Sequence, residues 1–151
     1  MIDKGWLEAI LLIVVIAIDI WYNYHLIEEK KEEPNHVLGF VFRIVIVGAI
    51  VAEASIAITL LRLVNAGMIY WFVFNAGLNK AREKPIDYIG TKRYNSLKEA
   101  LAKYDGKYSI IDQAMLYSLP TIVWFALRGI VAIFCLFNML YGYDPYGNFL
   151  N

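Results

Sequence analysis

Residues 37–63 read VLGFVFRIVIVGAIVAEASIAITLLRL, a run of 27 positions with three ionisable side chains, Arg43, Glu53 and Arg62. A bilayer core about 30 Å thick is crossed by about 20 mostly apolar helical residues, so Val37–Leu63 is expected to be a membrane span, with Pro34 ending whatever precedes it. The rest of the chain has the same character. Of 151 residues, 60% are hydrophobic, 15% aromatic and only 19% charged, where soluble domains average about 25% charged. A globule of this size needs a polar shell that this composition does not supply. Equal numbers of Lys+Arg and Asp+Glu, 14 each, leave no net field to hold nucleic acid. The partner indicated is the lipid bilayer, and the fold class is all-α, a polytopic membrane helix bundle.

Three further segments complete the expected bundle. Trp6–His25 is a retained first span, because Asp19, Trp21, Tyr22 and Tyr24 follow its apolar stretch where a signal peptide would carry a small-residue cleavage site. Residues 64–84 form a third element whose uncharged part, Ala66–Leu78, is short. Extended to Lys84 before Pro85 it can cross, with Lys80, Arg82 and Lys84 at its end, and otherwise it is re-entrant. The last span, within 110–141, starts at the capping box Ser109-x-x-Asp112 and kinks at Pro120. Between Asn79 and Asp112 lies a polar segment with a short amphipathic helix, opened by Ser96-x-x-Glu99 and ended by Asp105-Gly106. The whole chain is one membrane domain.

Eight basic residues between Lys80 and Lys107 place that polar segment in the cytoplasm. Four spans put both termini outside, with ten basic residues in against two out. Three spans give the same tally, so charge fixes the segment and only helix length favours four.

Ionisable groups inside a bilayer need a partner or a task. At 1.5 Å per residue, Asp19 and Arg43 fall about 5 Å and 10 Å to the cytoplasmic side of the midplane, close enough for an ion pair between the first two spans. Glu53 and Arg128 both fall within about 5 Å of the midplane, which pairs the second span with the last. These four charges either hold the bundle together or form a proton or ion path. Asp19, His25, His36, Arg43, Asn75 and Asn79 gather toward the cytoplasmic side and could line a polar pocket. His25, His36 and Asp19 are ligand types that suit a transition metal, although their spacing matches no metal motif. Cys135 stands alone and makes neither a disulfide nor a cysteine metal site. Tyr70–Phe74 reads as a packing or lipid-facing aromatic stripe.

The layout Asp19, His25, Asn35-His36, Arg43, then Asn75, Asn79 and Pro85–Thr91 resembles small multi-pass membrane proteins of bacteria and their phages. The resemblance covers about residues 15–95 and implies a membrane location, with no activity to carry over. Three functions are compatible with these residues. The first is a non-enzymatic, self-associating membrane component (a pore, a holin-like factor or an assembly subunit), with copies of itself or other membrane proteins as partners and no cofactor. The second is a proton- or ion-coupled carrier using Glu53, Arg128 and Asp19. The third is a membrane-embedded metal enzyme using Asp19, His25 and His36.

Overall fold

The computed structural model describes residues 3–31, 36–88 and 120–141, and these are helical except at turns and ends. Helix α1 spans Lys4–Tyr24 and continues through a π-helical turn, His25–Glu29. Helix α2 is His36–Ile50, α3 is Ile56–Ala81 and α4 is Thr121–Tyr141. Among the described residues, three helical stretches are long and apolar enough to cross a membrane: Lys4–Glu29, Ile56–Ala81 and Thr121–Tyr141. The apolar part of α2, Leu38–Ile50, is shorter.

The expected single helix over 37–63 is divided. Helix α2 stops at Ile50, residues 51–55 turn, and α3 begins at Ile56. The last eight residues assigned to the second span thus become the first two turns of α3. This removes the length problem of the third element: α3 has 26 residues, about 39 Å of helix. The turn has a chemical cause. An unbroken helix would carry Glu53 to the bilayer centre, whereas the turn brings it to the end of the bundle beside Lys4 and Arg62. Thr59 closes the turn. Its hydroxyl accepts from the Glu53 N–H at 2.9 Å and lies 3.0 Å from the Ser55 carbonyl, to which it can donate, occupying backbone groups that the break leaves without helical partners.

Both ends of the bundle are marked by contacts. At one end, Lys4 and Glu8 of α1 meet Glu53 and Arg62, and Gly5 lies against the backbone of Met139 and Leu140 in α4. At the other, Arg82 after α3 donates to Glu28 at 2.8 Å, and Thr121 donates to Asp87 at 3.0 Å. Helices α1 and α3 therefore run parallel, and α4 runs antiparallel to both. Helix α2 touches α1 and α3 but not α4, so the parallel pair is flanked by α2 and α4.

The core lies along this central pair. Leu12, Ile16, Val51 and Ala66 are fully enclosed, with Val47, Ile69, Tyr70, Cys135 and Met139 around them. Large apolar side chains including Ile13, Ile18, Phe40, Phe42, Leu61, Ile130 and Phe134 stand on the outside. That distribution suits a hydrocarbon surround far better than water.

Two helix ends are set by backbone chemistry. At the end of α3 the Lys84 N–H bonds the Asn79 carbonyl and the Glu83 N–H bonds that of Lys80. Glu83 sits in left-handed backbone at φ 55°, which is the Schellman arrangement without its usual glycine. Lys31 ends α1 in the same backbone region, at φ 57°. Pro120 immediately precedes α4 and does not lie within it as described. The expected helical stretch before Pro120, the Ser96 and Ser109 capping boxes and the amphipathic helix lie outside the described residues.

Candidate functional site: two charged clusters in the bundle

The first cluster is built on Asp19, four turns into α1. Its Oδ2 accepts from Arg43 Nε of α2 at 2.6 Å and from the Tyr70 hydroxyl of α3 at 2.5 Å. Its Oδ1 accepts from Asn23 Nδ2 at 2.7 Å, one turn further along α1. One carboxylate thus takes three donors and joins three helices, with one donor charged and two neutral. The Arg43 guanidinium also lies over the Phe74 ring, 4.4 Å from its centroid, within cation–π range. The expected partners Asp19 and Arg43 are brought together here. Tyr70, placed by sequence in an aromatic packing stripe, is a third member. The Asp19–Asn23 spacing of four residues is a signal that could have marked Asn23.

The second cluster closes the opposite end. Lys4 Nζ lies 2.7 Å from Glu53 Oε1 and 3.7 Å from Glu8 Oε1. Arg62 Nη1 lies 3.2 Å from Glu8 Oε1 and also bonds Glu53 Oε1. Glu8 is almost wholly enclosed, 3% exposed, and its Oε2 finds no donor among the described residues. Hydrogen bonding from Lys4, the largest effect, together with the charges of Lys4 and Arg62 outweighs the opposing effect of burial and holds the Glu53 carboxyl below the usual carboxylate range. Glu8 and Arg62 were not singled out from sequence. The Lys4–Glu8 spacing of four residues was the available sign.

Glu53 and Arg128 are not brought together. Depth counting along an unbroken second span put them at one level, and the turn at 51–55 moves Glu53 to the bundle end. Arg128 is 4% exposed within the bundle, between α3 and α4. Its guanidinium carbon stands 4.2 Å above the Trp71 ring, and Nη2 donates to the Trp71 carbonyl at 3.4 Å. Trp71 also meets Trp124 edge-on, and Phe72 packs on Phe125, so this arginine is seated in the aromatic α3–α4 seam.

The polar-pocket residues are spoken for separately. Asn75 donates to the Trp71 carbonyl of its own helix at 2.8 Å. Asn79 donates to the carbonyls of Ile86 and Tyr88, folding the chain back after α3. His25 bonds Glu29 through Nδ1 and stacks on Trp21. His36 begins α2, and its side chain is outside the described set, so the His25–His36–Asp19 ligand set is only partly in view. Among the described residues no group of three His, Cys, Asp or Glu side chains is placed to hold a metal ion. Cys135 is buried in the core.

No family model, curated protein or solved structure matches this chain.

Proposed function

We propose that the chain is a non-enzymatic membrane component that crosses the bilayer four times and works by associating with other copies of itself. The crossing number follows from direction. If the parallel helices α1 and α3 both span, the chain between them must return through the bilayer, and α2 is its only described helix. Both termini then share a side with the 51–55 turn. Lys30, Lys31 and the basic stretch from Lys80 onward share the other, which the positive-inside rule makes cytoplasmic.

One observation carries the functional reading: Asp19 is used up in binding helices together. An ionisable group on a transport path must exchange its partner with the cargo, whereas this carboxylate is engaged by Asn23, Arg43 and Tyr70 at once. The charged groups at the other end likewise engage one another across α1, the turn and α3.

The test is flux through vesicles holding purified protein, read in parallel with copy number by stepwise photobleaching. The reading expects particles of several copies, and any leak to admit protons, potassium and a small dye alike. Proton flux without dye leakage, abolished in Asp19→Asn while the protein stays folded, overturns it in favour of a carrier. Particles that bleach in single steps overturn the association.

A further inference from the structure

We infer that Glu8, Glu53 and Arg62 form a binding site for one primary ammonium group, and that Lys4 of the same chain fills it in this structure. Charge is the first reason. Two carboxylates face one guanidinium, which leaves a single negative charge to be matched by one monovalent cation. The second reason is geometry. Lys4 Nζ is 2.7 Å from Glu53 Oε1 and 3.7 Å from Glu8 Oε1, as an ammonium with three donors would sit between two acceptors. Arg62 Nη1 spans the same two oxygens and fixes their separation. The third reason is that the site has more acceptor capacity than Lys4 uses. Glu8 is enclosed at 3% exposure with Oε2 taking no hydrogen bond from any described residue, and buried carboxylate oxygens ordinarily have donors.

Lys4 is an interchangeable occupant. Its side chain is 54% exposed, it belongs to the first turn of α1, and it stands outside the apolar core. When it swings out, an external alkylammonium finds two carboxylates already positioned by Arg62. A divalent metal is a poor fit, since among the described residues two carboxylates converge and a fixed guanidinium shares them. The ammonium could come from an amine-bearing lipid headgroup or from a soluble amine. The side-chain geometry stands whether or not the chain acts as proposed above.

The experiment is chemical rescue. The Lys4→Met variant, in phosphatidylcholine nanodiscs, is melted with increasing ethylammonium chloride and, separately, with tetramethylammonium chloride, which cannot donate a hydrogen bond. Lys4→Met is expected to melt lower than the wild type and to recover by roughly 2–4 °C with ethylammonium alone. The recovery should be absent in the Lys4→Met, Glu8→Gln double variant. Saturation transfer to the ethylammonium methyl protons reads binding directly, whether or not melting moves, and Lys4→Gln serves if Lys4→Met does not fold. Recovery in discs containing phosphatidylethanolamine, without added amine, assigns the lipid as the source. Recovery only with free amine assigns a soluble ligand. No transfer to ethylammonium, equal rescue by tetramethylammonium, or rescue that survives Glu8→Gln overturns the site.

Discussion

Removing either partner of the Asp19–Arg43 pair should be costly alone, and removing both together should cost far less than the sum of the two single losses. In Arg43→Met the carboxylate keeps Tyr70 and Asn23, both neutral donors, and loses the one charged bond, 2.6 Å long. A hydrogen bond to a charged group contributes about 1.5–3 kcal/mol, and stranding one member of a buried pair costs about 3–5 kcal/mol. Both side chains keep about a fifth to a quarter of their area exposed, which argues for the lower end, about 3 kcal/mol. Asp19→Asn strands Arg43 instead. The Phe74 ring, 4.4 Å away, retains part of its stabilisation, so about 2 kcal/mol is expected. The Asp19→Asn, Arg43→Met double variant leaves no lone charge, and Met fills most of the stem volume, so it should lose only about 2 kcal/mol. The coupling is then about 3 kcal/mol, at the top of the range for residues in direct contact. Reversible unfolding in mixed micelles, by titrating a denaturing detergent, measures all four proteins. If the double variant loses the sum of the two single losses to within about 0.5 kcal/mol, the pair does not act as a unit and the structural role given to Asp19 fails.

Other expectations follow from the same contacts. A Cβ at Gly5 would stand 2.6 Å from the Met139 carbonyl oxygen, and the neighbour is backbone that cannot swing aside. Gly5→Ala should therefore part α1 from α4 and cost about 1–3 kcal/mol, while Gly67→Ala, which meets nothing within 4 Å, should be neutral or stabilising by up to about 1 kcal/mol; equal losses would refute this in the same unfolding assay. Glu83 holds left-handed backbone, φ 55°, so Glu83→Gly should raise stability by about 1 kcal/mol, and a loss would show that its side chain matters more than its backbone. Because Glu53 ionises more readily than an ordinary carboxyl, its contribution is complete above the unfolded value of about 4.3 and is lost as pH falls through its lowered folded value. Melting of the wild type should drop more steeply on acidification below about pH 4 than that of Glu53→Gln, and identical acid limbs would show that Glu53 does not stabilise the second cluster.

The helical character and membrane setting were legible because they follow from composition and run length, which local structure cannot reverse. Where the second helix ends was not legible. From Val37 to Leu78 the only Asp, Glu, Lys or Arg residues are Arg43, Glu53 and Arg62, and hydrophobicity alone cannot say where a 42-residue apolar run turns. The deciding information was non-local. Glu53 is stable at a turn because Lys4, 49 positions earlier, and Arg62, nine positions later, both reach it. Thr59, an ordinary β-branched residue by pattern, bonds the turn's backbone. Ala52–Ser55 was the local hint: four small or polar residues with no bulky apolar side chain.

The same logic separates the two charge pairs proposed from depth. Counting residues along a helix locates a charge only while the helix is continuous from a known boundary to that charge. Asp19 lies within one unbroken helix, and Arg43 lies seven residues inside α2 on the near side of the turn, so their levels could be counted and they meet. Glu53 lies beyond the last helical residue of α2, and every position after Ile50 reverses direction relative to the count. The error therefore grows with each residue past the break. Arg62, expected at the outer end of the Val37–Leu63 span, belongs to the second turn of α3 and faces Glu8. Arg128 loses its expected acid for the same reason and is seated by Trp71, an aromatic partner that depth counting of charges never considers. Intramembrane pairing is thus readable from sequence on the near side of the first unrecognised turn, and on the far side only once that turn has a chemical cause, here the attraction of Glu53 to Lys4 and Arg62.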